Sequence, residues 1–571
     1  MQLKIKVIIS LPHIPKGTGS KMFGNCCCGK HGDVEISKNG TSSEEVEIKQ
    51  RRFTFKENLQ FYAKEYCDGG TIHGFKYLAE NRTIFEKIWW VISIILSITL
   101  CVFLVIVTYD RWENAPVLVS FATKETSIWE VPFPAITICP ETKSRPTIFN
   151  YSKYLDLKKH NVELTTEEEE KFGYLSLICE RKSGIVYKSH HLSKKHVFDF
   201  FDQVQPKFMD NISECKYLGE NYNCSDLFFP IMTDEGVCYT FNLLDRSEIF
   251  TDVVTHYKNY HSAPKSEGWS LEKGYNSNVG IKTYPKRALF SGAKYALEAK
   301  LTIYDDELDY DCGSSLLGWK IQVSHPSRMP RVREQHFQVP LDKSVKAAVL
   351  PDMTVTSDAV KNYDPSRRNC YFPSERPLQF FKIYTQQNCQ IECKTRYTYK
   401  KCGCTNFYMP RFANMSVCSA GMINCIYEAE HDLLFTDIKQ NLMRKQGQQI
   451  DDEIDCDCLP ICTSMYYKEE RSMSDWNWRN KYPLKPGEDI KRYNQKHMSY
   501  FQVFMKGNQF ITLDRSELFG PTDFLANFGG LLGLCIGFSL LTLIEVIYYL
   551  TVRIVCNIIL YGKRNWSGKI D

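Results

Sequence analysis

The sequence of 571 residues lacks the signatures of the common enzyme classes. It contains no H-E-x-x-H zinc motif, no G-x-S-x-G nucleophile motif, no P-loop and no G-x-G-x-x-G fingerprint. Its 13 histidines do not cluster at the spacing of metal ligands. We therefore expect no enzymatic activity, no metal site and no cofactor.

The sequence also lacks a strong charge imbalance and internal repeats. Its net charge of +4 is small for this length, whereas nucleic-acid binding requires clustered Lys and Arg, so we expect no nucleic-acid partner. Without repeats of 20–50 residues a solenoid is excluded. With 43% hydrophobic and 24% charged residues, the composition is that of a folded protein.

Apolar residues are concentrated in two runs. Residues 88–109 contain no charge, and residues 528–549 contain only Glu545. Roughly 20 apolar residues cross a bilayer as a helix. A buried core helix is the alternative, but such helices seldom stay apolar on every face. The pattern predicts transmembrane helices over 87–109 and 520–550.

Basic residues on the outer flanks of the two runs predict the orientation. Positive charge favours the cytoplasmic side, and the basic flanking residues are Lys64, Lys76, Arg82, Lys87, Arg553, Lys563, Arg564 and Lys569. We expect a cytoplasmic segment 1–86, an extracellular domain 110–519 and a cytoplasmic tail 551–571. The early apolar stretch 7–11 is too short for a signal peptide, so the first span is expected to direct its own insertion.

The cysteines agree with this topology. Of 23 cysteines, 16 lie between Cys139 and Cys462, an even number that predicts up to eight disulfides in an oxidising compartment. The C-x-C spacings admit zinc, but zinc sites favour C-x₂₋₄-C pairs in reducing compartments. The remaining cysteines are expected to stay reduced: Cys26, Cys27, Cys28, Cys67, Cys101, Cys535 and Cys556.

Further patterns concern the predicted extracellular domain. Strands are predicted at 116–121, 131–139, 320–350 and 496–514, and a helix at 427–453. An α+β domain follows. Sequons predict glycosylation at Asn150, Asn211, Asn223 and Asn414.

The second run is unusual for a lipid-facing helix. It contains Gly529, Gly530, Gly533 and Gly537, and then Ser539 and the ionisable Glu545. A carboxylate in the bilayer costs at least ~2.5–3.5 kcal/mol unless it faces water or a partner. The pattern favours a pore lined by carbonyls with a carboxylate ring below. Small-residue helix packing, with Glu545 reaching the interface, is the alternative.

Several motifs of this chain resemble the degenerin/epithelial sodium channel family, which includes the acid-sensing channels. The second span Gly533-Leu-Cys-Ile-Gly537-Phe-Ser539, continuing to Glu545, is similar to the family's G-L-x-x-G-x-S-x-L-x-x-x-E. The other matching blocks are Phe133-Pro-Ala-Ile-Thr-Ile-Cys139, Cys238-Tyr-Thr-Phe-Asn242, His73-Gly74 and the cysteine ladder from Cys389 to Cys462.

This resemblance implies an α+β membrane protein that forms a homotrimer in the plasma membrane. Each subunit would have two transmembrane helices and an extracellular domain with palm, knuckle, β-ball, finger and thumb, the thumb at about 370–470. The resemblance implies the pairs Cys139–Cys238, Cys215–Cys224, Cys370–Cys462, Cys389–Cys458, Cys393–Cys456, Cys402–Cys425 and Cys404–Cys418. The remaining two extracellular cysteines predict an additional pair, Cys179–Cys312.

The resemblance also assigns roles to residues of the pore. Gly537, Phe538 and Ser539 would form the selectivity filter for sodium, although Phe538 is bulkier than is usual in the family. Gly533 and Glu545 would line the same path, with Glu545 near the inner mouth. The gating residues would be His73 and Gly74 in a re-entrant loop and Ala526 at the site where larger side chains lock degenerins open. Block by amiloride is implied.

The stimulus that opens the channel is less constrained. Acid-sensing members carry a His pair where this chain has Ser120 and Phe121, and a Trp where it has Arg367. No R-x-x-R processing site lies in 141–260. These features favour the FMRFamide-gated branch, with an extracellular peptide ligand. Proton, constitutive and mechanical gating are alternatives. A two-span adhesion or scavenger receptor is the rival outside this family, and ATP-gated channels lack the cysteine blocks.

Overall fold

The computed structural model describes residues 53–114, 117–180, 182, 184–187, 196–254, 261–313, 315–445, 456–518 and 520–569. These residues form two compact units. One contains the described residues up to 114 together with those from 520 onward, and the other contains residues 117–518. Cys26, Cys27 and Cys28 and the end of the predicted helix 427–453 lie outside the described residues.

The helices of the described residues differ widely in length. In chain order the described residues form α1 (Phe55–Gly69), α2 (Phe75–Ala79), α3 (Ile84–Asn114), α4 (Tyr151–Lys159), α5 (Thr166–Ser176), α6 (His196–Val204), α7 (Phe208–Asn211), α8 (Cys224–Leu227), α9 (Arg246–Ile249), α10 (Asp358–Lys361), α11 (Pro365–Arg368), α12 (Gln386–Cys402), α13 (Ile423–Lys445), α14 (Trp478–Lys481), α15 (Ile490–Asn494), α16 (Pro521–Ile536), α17 (Leu540–Leu550) and α18 (Val552–Tyr561).

The strands all lie in the second unit. They are β1 (Val117–Ser127), β2 (Ala135–Pro140), β3 (Ile212–Tyr217), β4 (Glu220–Tyr222), β5 (Phe229–Thr233), β6 (Gly236–Phe241), β7 (Trp269–Ser270), β8 (Gly274–Tyr275), β9 (Leu297–Tyr304), β10 (Trp319–Ser324), β11 (Phe337–Val339), β12 (Lys343–Thr356), β13 (Ser464–Asp475), β14 (Lys496–Met505) and β15 (Gln509–Glu517).

Two described helices are long and apolar enough to cross a membrane, Ile84–Asn114 and Leu540–Tyr561. The first is longer than the predicted span 87–109 at both ends. At its start the Thr83 hydroxyl bonds Glu86 at 3.0 Å, a side-chain pairing typical of helix N-termini. At its end Asn114 bonds Asp110 at 2.6 Å, which carries the helix beyond the apolar residues.

The second predicted span, 520–550, is not one helix. It divides into α16 and α17, with residues 537–539 outside both. The predicted tail, 551–571, begins with the helix α18, whose sequence VRIVCNIILY is mostly apolar. The apolar part of the chain therefore extends to Tyr561, beyond the boundary at 550 that the sequence pattern gave.

The second unit is built on two main sheets. The larger has the strand order β1-β15-β12-β14-β9-β3-β4, with β13 paired to β12, and the smaller has the order β11-β10-β2-β6-β5. The predicted strand 320–350 is three strands, β10, β11 and β12, and prolines at 326, 330 and 340 lie in the intervening segments. The predicted strand 496–514 is the pair β14 and β15, which turns at Gly507.

Core packing explains why β2 shows no alternation of apolar and polar residues. It lies between β10 and β6, and all six of its residues are buried. Phe133, just before it, packs edge-on against Tyr217 and Phe241 at 5.5 and 5.9 Å between ring centroids. The block that matches the family motif is therefore a core strand.

Eight disulfides connect the sixteen cysteines of this unit. They are Cys139–Cys238, Cys179–Cys312, Cys215–Cys224, Cys370–Cys462, Cys389–Cys458, Cys393–Cys456, Cys402–Cys425 and Cys404–Cys418. These are the pairs that the resemblance and the extra pairing predict. Cys389–Cys458 and Cys393–Cys456 tie α12 to the segment 456–462, and Cys402–Cys425 ties the end of α12 to the start of α13. Cys67, Cys101, Cys535 and Cys556 are in no disulfide among the described residues.

The sequons differ in exposure. Asn223 and Asn414 are exposed, and Asn150 is half-buried, where it caps α4 by accepting from the Lys153 N–H at 2.9 Å. Asn211 is only 3% exposed, with its amide nitrogen enclosed. A glycan on Asn211 does not fit the folded domain, and this corrects the sequence prediction for that site.

Candidate functional site

The interruption of the second span is a helix stop followed by a helix start. Gly537 has φ +67°, the left-handed conformation that ends helices, and its N–H donates to the Gly533 carbonyl at 3.0 Å. Ser539 then caps α17, because its Oγ accepts from the Thr542 N–H at 3.2 Å. The predicted filter residues Gly537, Phe538 and Ser539 therefore form a short non-helical segment between two helices.

The His-Gly pair lies directly against this segment. A Cβ on Gly537 would fall 2.0 Å from His73 Nδ1, so only glycine leaves room for the imidazole. The His73 N–H donates to the Ile536 carbonyl at 3.1 Å. Gly74 has φ +93°, and a Cβ there would approach the Ile94 side chain to 3.0 Å. The structure thus brings together the predicted filter and the predicted gating loop.

Glu545 is held by the same loop. Its Oε2 accepts from the Thr71 hydroxyl at 2.6 Å and from the Thr71 N–H at 3.2 Å. The Thr71 hydroxyl also lies 3.0 Å from the hydroxyl of Thr542, which is buried. The sequence analysis missed Thr71 and Thr542. Thr71 stands two residues before the His-Gly pair, and Thr542 stands three residues after Ser539, the position where an N-capping side chain binds.

Gly533, predicted for the pore, and Ala526, predicted for gating, both lie in α16. Gly533 contributes its carbonyl to the helix end at Gly537, as described above. Ala526 lies earlier in α16 and is exposed. The structure brings Gly533 close to the filter segment, where a Cβ would lie 3.8 Å from the Phe538 carbonyl oxygen.

The first span supports the end of α16. The Ser97 hydroxyl donates to the Cys535 carbonyl at 2.6 Å. Carbonyls in the last turn of a helix have no partner within the helix, and in a membrane an unpaired carbonyl is costly. Ser97 supplies the missing donor where the second span is interrupted.

The segment before the loop is anchored to the C-terminal tail. The Asn58 amide donates to the Arg564 carbonyl at 3.1 Å and accepts from the Ser567 hydroxyl at 2.6 Å. Trp566 packs against Tyr62, with 5.4 Å between ring centroids. Residues that precede the first span in the sequence therefore form one cluster with residues that follow the second span. We call this cluster the α1–tail anchor (Asn58, Tyr62 and residues 564–567).

A separate cavity of about 180 Å³ lies in the second unit. Its wall includes Asp234, Arg333, Lys394, Tyr408 and Glu430. Lys394 pairs with Glu430 at 2.8 Å. Burial raises the pKa of Asp234 to about 6, although Arg333 opposes this shift. The carboxylates of Asp234 and Glu430 therefore lie beside the basic side chains of Arg333 and Lys394.

The described residues thus combine two helices long and apolar enough to cross a membrane, an interruption before the second of them and a disulfide-rich unit. A family model described as "Amiloride-sensitive sodium channel" matches residues 66–549. The chain is 27% identical to Pickpocket protein 28 of Drosophila melanogaster, over 92% of this chain and 83% of that protein.

Other relatives have the same breadth of match. The chain is 24% identical to the sodium channel protein Nach of Drosophila melanogaster, over 89% of this chain and 90% of that protein. It is 21% identical to acid-sensing ion channel 4-B of Danio rerio, over 85% and 75%. The chain belongs to the amiloride-sensitive sodium channel family. It is a sodium channel subunit of the membrane, and this family is one of ion channels and not of enzymes.

Proposed function

We propose that three copies of this chain form a sodium-selective channel of the plasma membrane, opened by an extracellular FMRFamide-like peptide and blocked by amiloride. The observation that carries the conduction path is the interrupted second span. Its non-helical segment at Gly537, Phe538 and Ser539 offers backbone carbonyls and a hydroxyl, the ligands that replace the hydration shell of a cation. Glu545, one helical segment further, supplies a negative charge.

Both termini are proposed to lie in the cytoplasm. The α1–tail anchor joins Asn58 to Ser567, which supports a topology with the segments before the first span and after the second on one side of the membrane. Lys and Arg flank both of these segments, and positive charge favours the cytoplasmic side.

The extracellular unit supports a ligand other than the proton. Ser120 and Phe121 lie in β1, opposite Asp514 and Leu513 of β15, where acid-sensing members have a His pair. Burial lowers the pKa of His261 to about 4 and that of His325 well below its usual value. Neither imidazole would change charge near pH 6.

One surface has the chemistry that a cationic, aromatic peptide requires. The helix α13 exposes Tyr427, Leu434 and Phe435, with 48%, 65% and 60% of each residue accessible. On the same helix Glu428 is a largely exposed carboxylate, with 70% of its side chain accessible. Aromatic contacts with a nearby acidic group suit an Arg-containing peptide with Phe side chains.

Acid gating is the second candidate, because one observation favours it. The buried Asp234, whose pKa is raised to about 6, would take up a proton when the extracellular medium is mildly acidified. Its carboxylate accepts the N–H groups of Val332 and Arg333 at 3.0 and 3.1 Å, and protonation would weaken these bonds.

Voltage-clamped cells that express the chain distinguish the two stimuli. We expect current when FMRFamide-like peptides are perfused at neutral pH, and no comparable current at pH 5 without peptide. A large current at pH 5 without any current in response to peptides would contradict peptide gating and support acid gating. The variant Asp234→Asn should then shift the pH at which the acid current is half-maximal. Amiloride applied during the current tests the proposed block.

Variants of the second span distinguish the proposed channel from a two-span receptor. We expect Ser539→Ala and Glu545→Ala to change the sodium-to-potassium permeability ratio or the single-channel conductance, because both side chains belong to the proposed ion path. The exposed, lipid-compatible Leu534→Ala of α16 is the matched control. Unchanged currents in both pore variants would contradict the proposed path.

A further inference from the structure

Four polar side chains form one connected chain beside the filter segment. Ser539 Oγ lies 3.1 Å from Thr542 Oγ1, which lies 3.0 Å from Thr71 Oγ1, which lies 2.6 Å from Glu545 Oε2. Three of these groups belong to the second span, and Thr71 belongs to the loop that precedes the first. The loop therefore supplies the central link between the filter serine and the carboxylate.

The carboxylate of Glu545, at one end of this series of side chains, sets the direction of each hydrogen bond in the series. An ionised carboxylate only accepts, and each hydroxyl has a single proton to donate. If Thr71 gives its proton to Glu545, its oxygen accepts from Thr542, and Thr542 in turn accepts from Ser539. All three hydroxyls then point toward Glu545.

This orientation decides what Ser539 presents to an ion. Its proton is used by Thr542, and one lone pair accepts the Thr542 N–H at 3.2 Å. A hydroxyl oxygen has two lone pairs, so one stays available for a cation. A freely rotating hydroxyl would present its proton part of the time and repel sodium.

We propose that Thr71 and Thr542 are positioning residues that orient the Ser539 hydroxyl, so that its oxygen and not its proton is offered to sodium. The proposal rests on the proposed pore role of Ser539 and Glu545. It assigns to the cytoplasmic loop a part in ion selectivity, through a relay of hydroxyls that ends on an ionised carboxylate. Thr71 also fixes Glu545 through a second bond, from its N–H at 3.2 Å.

The variant Thr71→Val tests the relay, because valine keeps the shape and the backbone N–H but removes the hydroxyl. We expect the sodium-to-potassium permeability ratio, measured from reversal potentials, to fall by roughly three- to tenfold, the effect of losing one hydrogen bond. Thr71→Ser restores the hydroxyl and should return the ratio to that of the wild type. Thr542→Val interrupts the neighbouring link and should act in the same direction.

Thr99→Val is the matched control. The Thr99 side chain is exposed on the first span, and its hydroxyl donates to the Ile95 carbonyl of its own helix at 2.8 Å. It should leave selectivity unchanged. Surface labelling measures the amount of each variant at the membrane, and the reversal potential does not depend on that amount, so a purely structural role of Thr71 would lower current and leave the ratio intact.

A double variant separates the two levels of the proposal. In a Glu545→Gln background the relay has lost its ionised end, so Thr71→Val should have little further effect on the ratio. If Ser539→Ala and Glu545→Gln change selectivity but Thr71→Val and Thr542→Val do not, the relay is refuted and the pore is retained. If Ser539→Ala and Glu545→Gln are also without effect, the proposed pore itself is refuted.

Discussion

Single residues with unusual surroundings set the local properties of both units. Gly537 ends α16 because it adopts a left-handed conformation, and it leaves the space that the His73 ring fills. In the extracellular unit His261 is 1% exposed and His325 is 2% exposed, so both imidazoles are held away from water. Burial disfavours the charged form and lowers the pKa of both groups.

The buried His261 predicts acid sensitivity of the extracellular unit. Its pKa is about 4 when folded and about 6.5 when unfolded, so the unfolded chain binds more protons between these values. Stability is therefore present above pH 6.5 and is lost as the pH falls toward 4. Lowering the pH from 7.5 to 5.0 should cost about 2 kcal/mol through this residue.

Thermal unfolding of the purified channel at pH 7.5 and 5.0 measures this loss. We expect His261→Gln to reduce the difference in Tm between the two pH values, whatever its effect at pH 7.5. The exposed His160, replaced by Gln, is the control and should leave the difference unchanged. An unaltered pH difference in His261→Gln would show that the imidazole does not titrate as its burial requires.

At the scale of elements, capping residues and short contacts decide where helices end and what they touch. Glycine and serine, spaced by one residue, divide one apolar run into α16 and α17, and the donor from Ser97 satisfies a carbonyl near the interruption. The helix α1 is mostly polar, and its buried side chains are Asn58 and Tyr62, both in the α1–tail anchor. Contacts with the tail therefore hold α1 in place.

Removing the Asn58 amide should release α1. The variant Asn58→Leu leaves the Arg564 carbonyl and the Ser567 hydroxyl without their partner, at a cost of about 1–3 kcal/mol. Cys67, on the same helix, is half-buried, and burial raises the pKa of its thiol, which slows its reaction with alkylating reagents.

Mass spectrometry of alkylated peptides measures the rate of alkylation of Cys67 in membrane vesicles whose proposed cytoplasmic face is exposed to the reagent. We expect Asn58→Leu to raise this rate roughly tenfold or more, as local opening becomes easier. Gln60→Leu, an exposed position of the same helix, should not change it. Equal rates in the two variants would mean that the tail does not anchor α1.

At the scale of the whole molecule, disulfides that close long loops should contribute most. Cys179–Cys312 closes a loop of 133 residues, and Cys215–Cys224 closes one of 9. In the chain-entropy description the longer loop contributes about 2 kcal/mol more, because it restricts the unfolded chain further. Replacing Cys179 and Cys312 by Ala should therefore lower Tm more than the same replacement of Cys215 and Cys224. An equal fall in Tm would contradict this ranking.

Much of the architecture could be predicted from the sequence, because it depends on properties that single residues carry. Apolar length marks the two membrane-spanning regions, and charge on the flanks predicts their orientation. Seven of the cysteine pairs follow from the resemblance to the family, and Cys179–Cys312 follows from the two cysteines that it leaves over. The roles expected for Gly537, Ser539 and Glu545 rest on the same motifs, and they stay predictions until currents are measured.

Other features depended on contacts between residues far apart in the chain. The sequence indicated one helix over 520–550, whereas the backbone at Gly537 interrupts it and the His73 ring occupies the space beside it. Asn211 has a sequon, but its burial depends on how the strands around it pack. Thr71 lies 474 positions before Glu545, and no local pattern brings them together.

The motifs of the sequence resemble a sodium channel family, and the composition and spacing of the residues by themselves determined two membrane-spanning regions and a disulfide-rich domain between them. These are properties of length, charge and cysteine spacing, which do not require a partner. Only the tertiary structure decided that Thr71, before the first span, holds the carboxylate of the second span and that the filter segment is not helical. The reason is physical: a hydrogen bond forms between whichever groups the fold brings within about 3 Å, and their separation in sequence is immaterial.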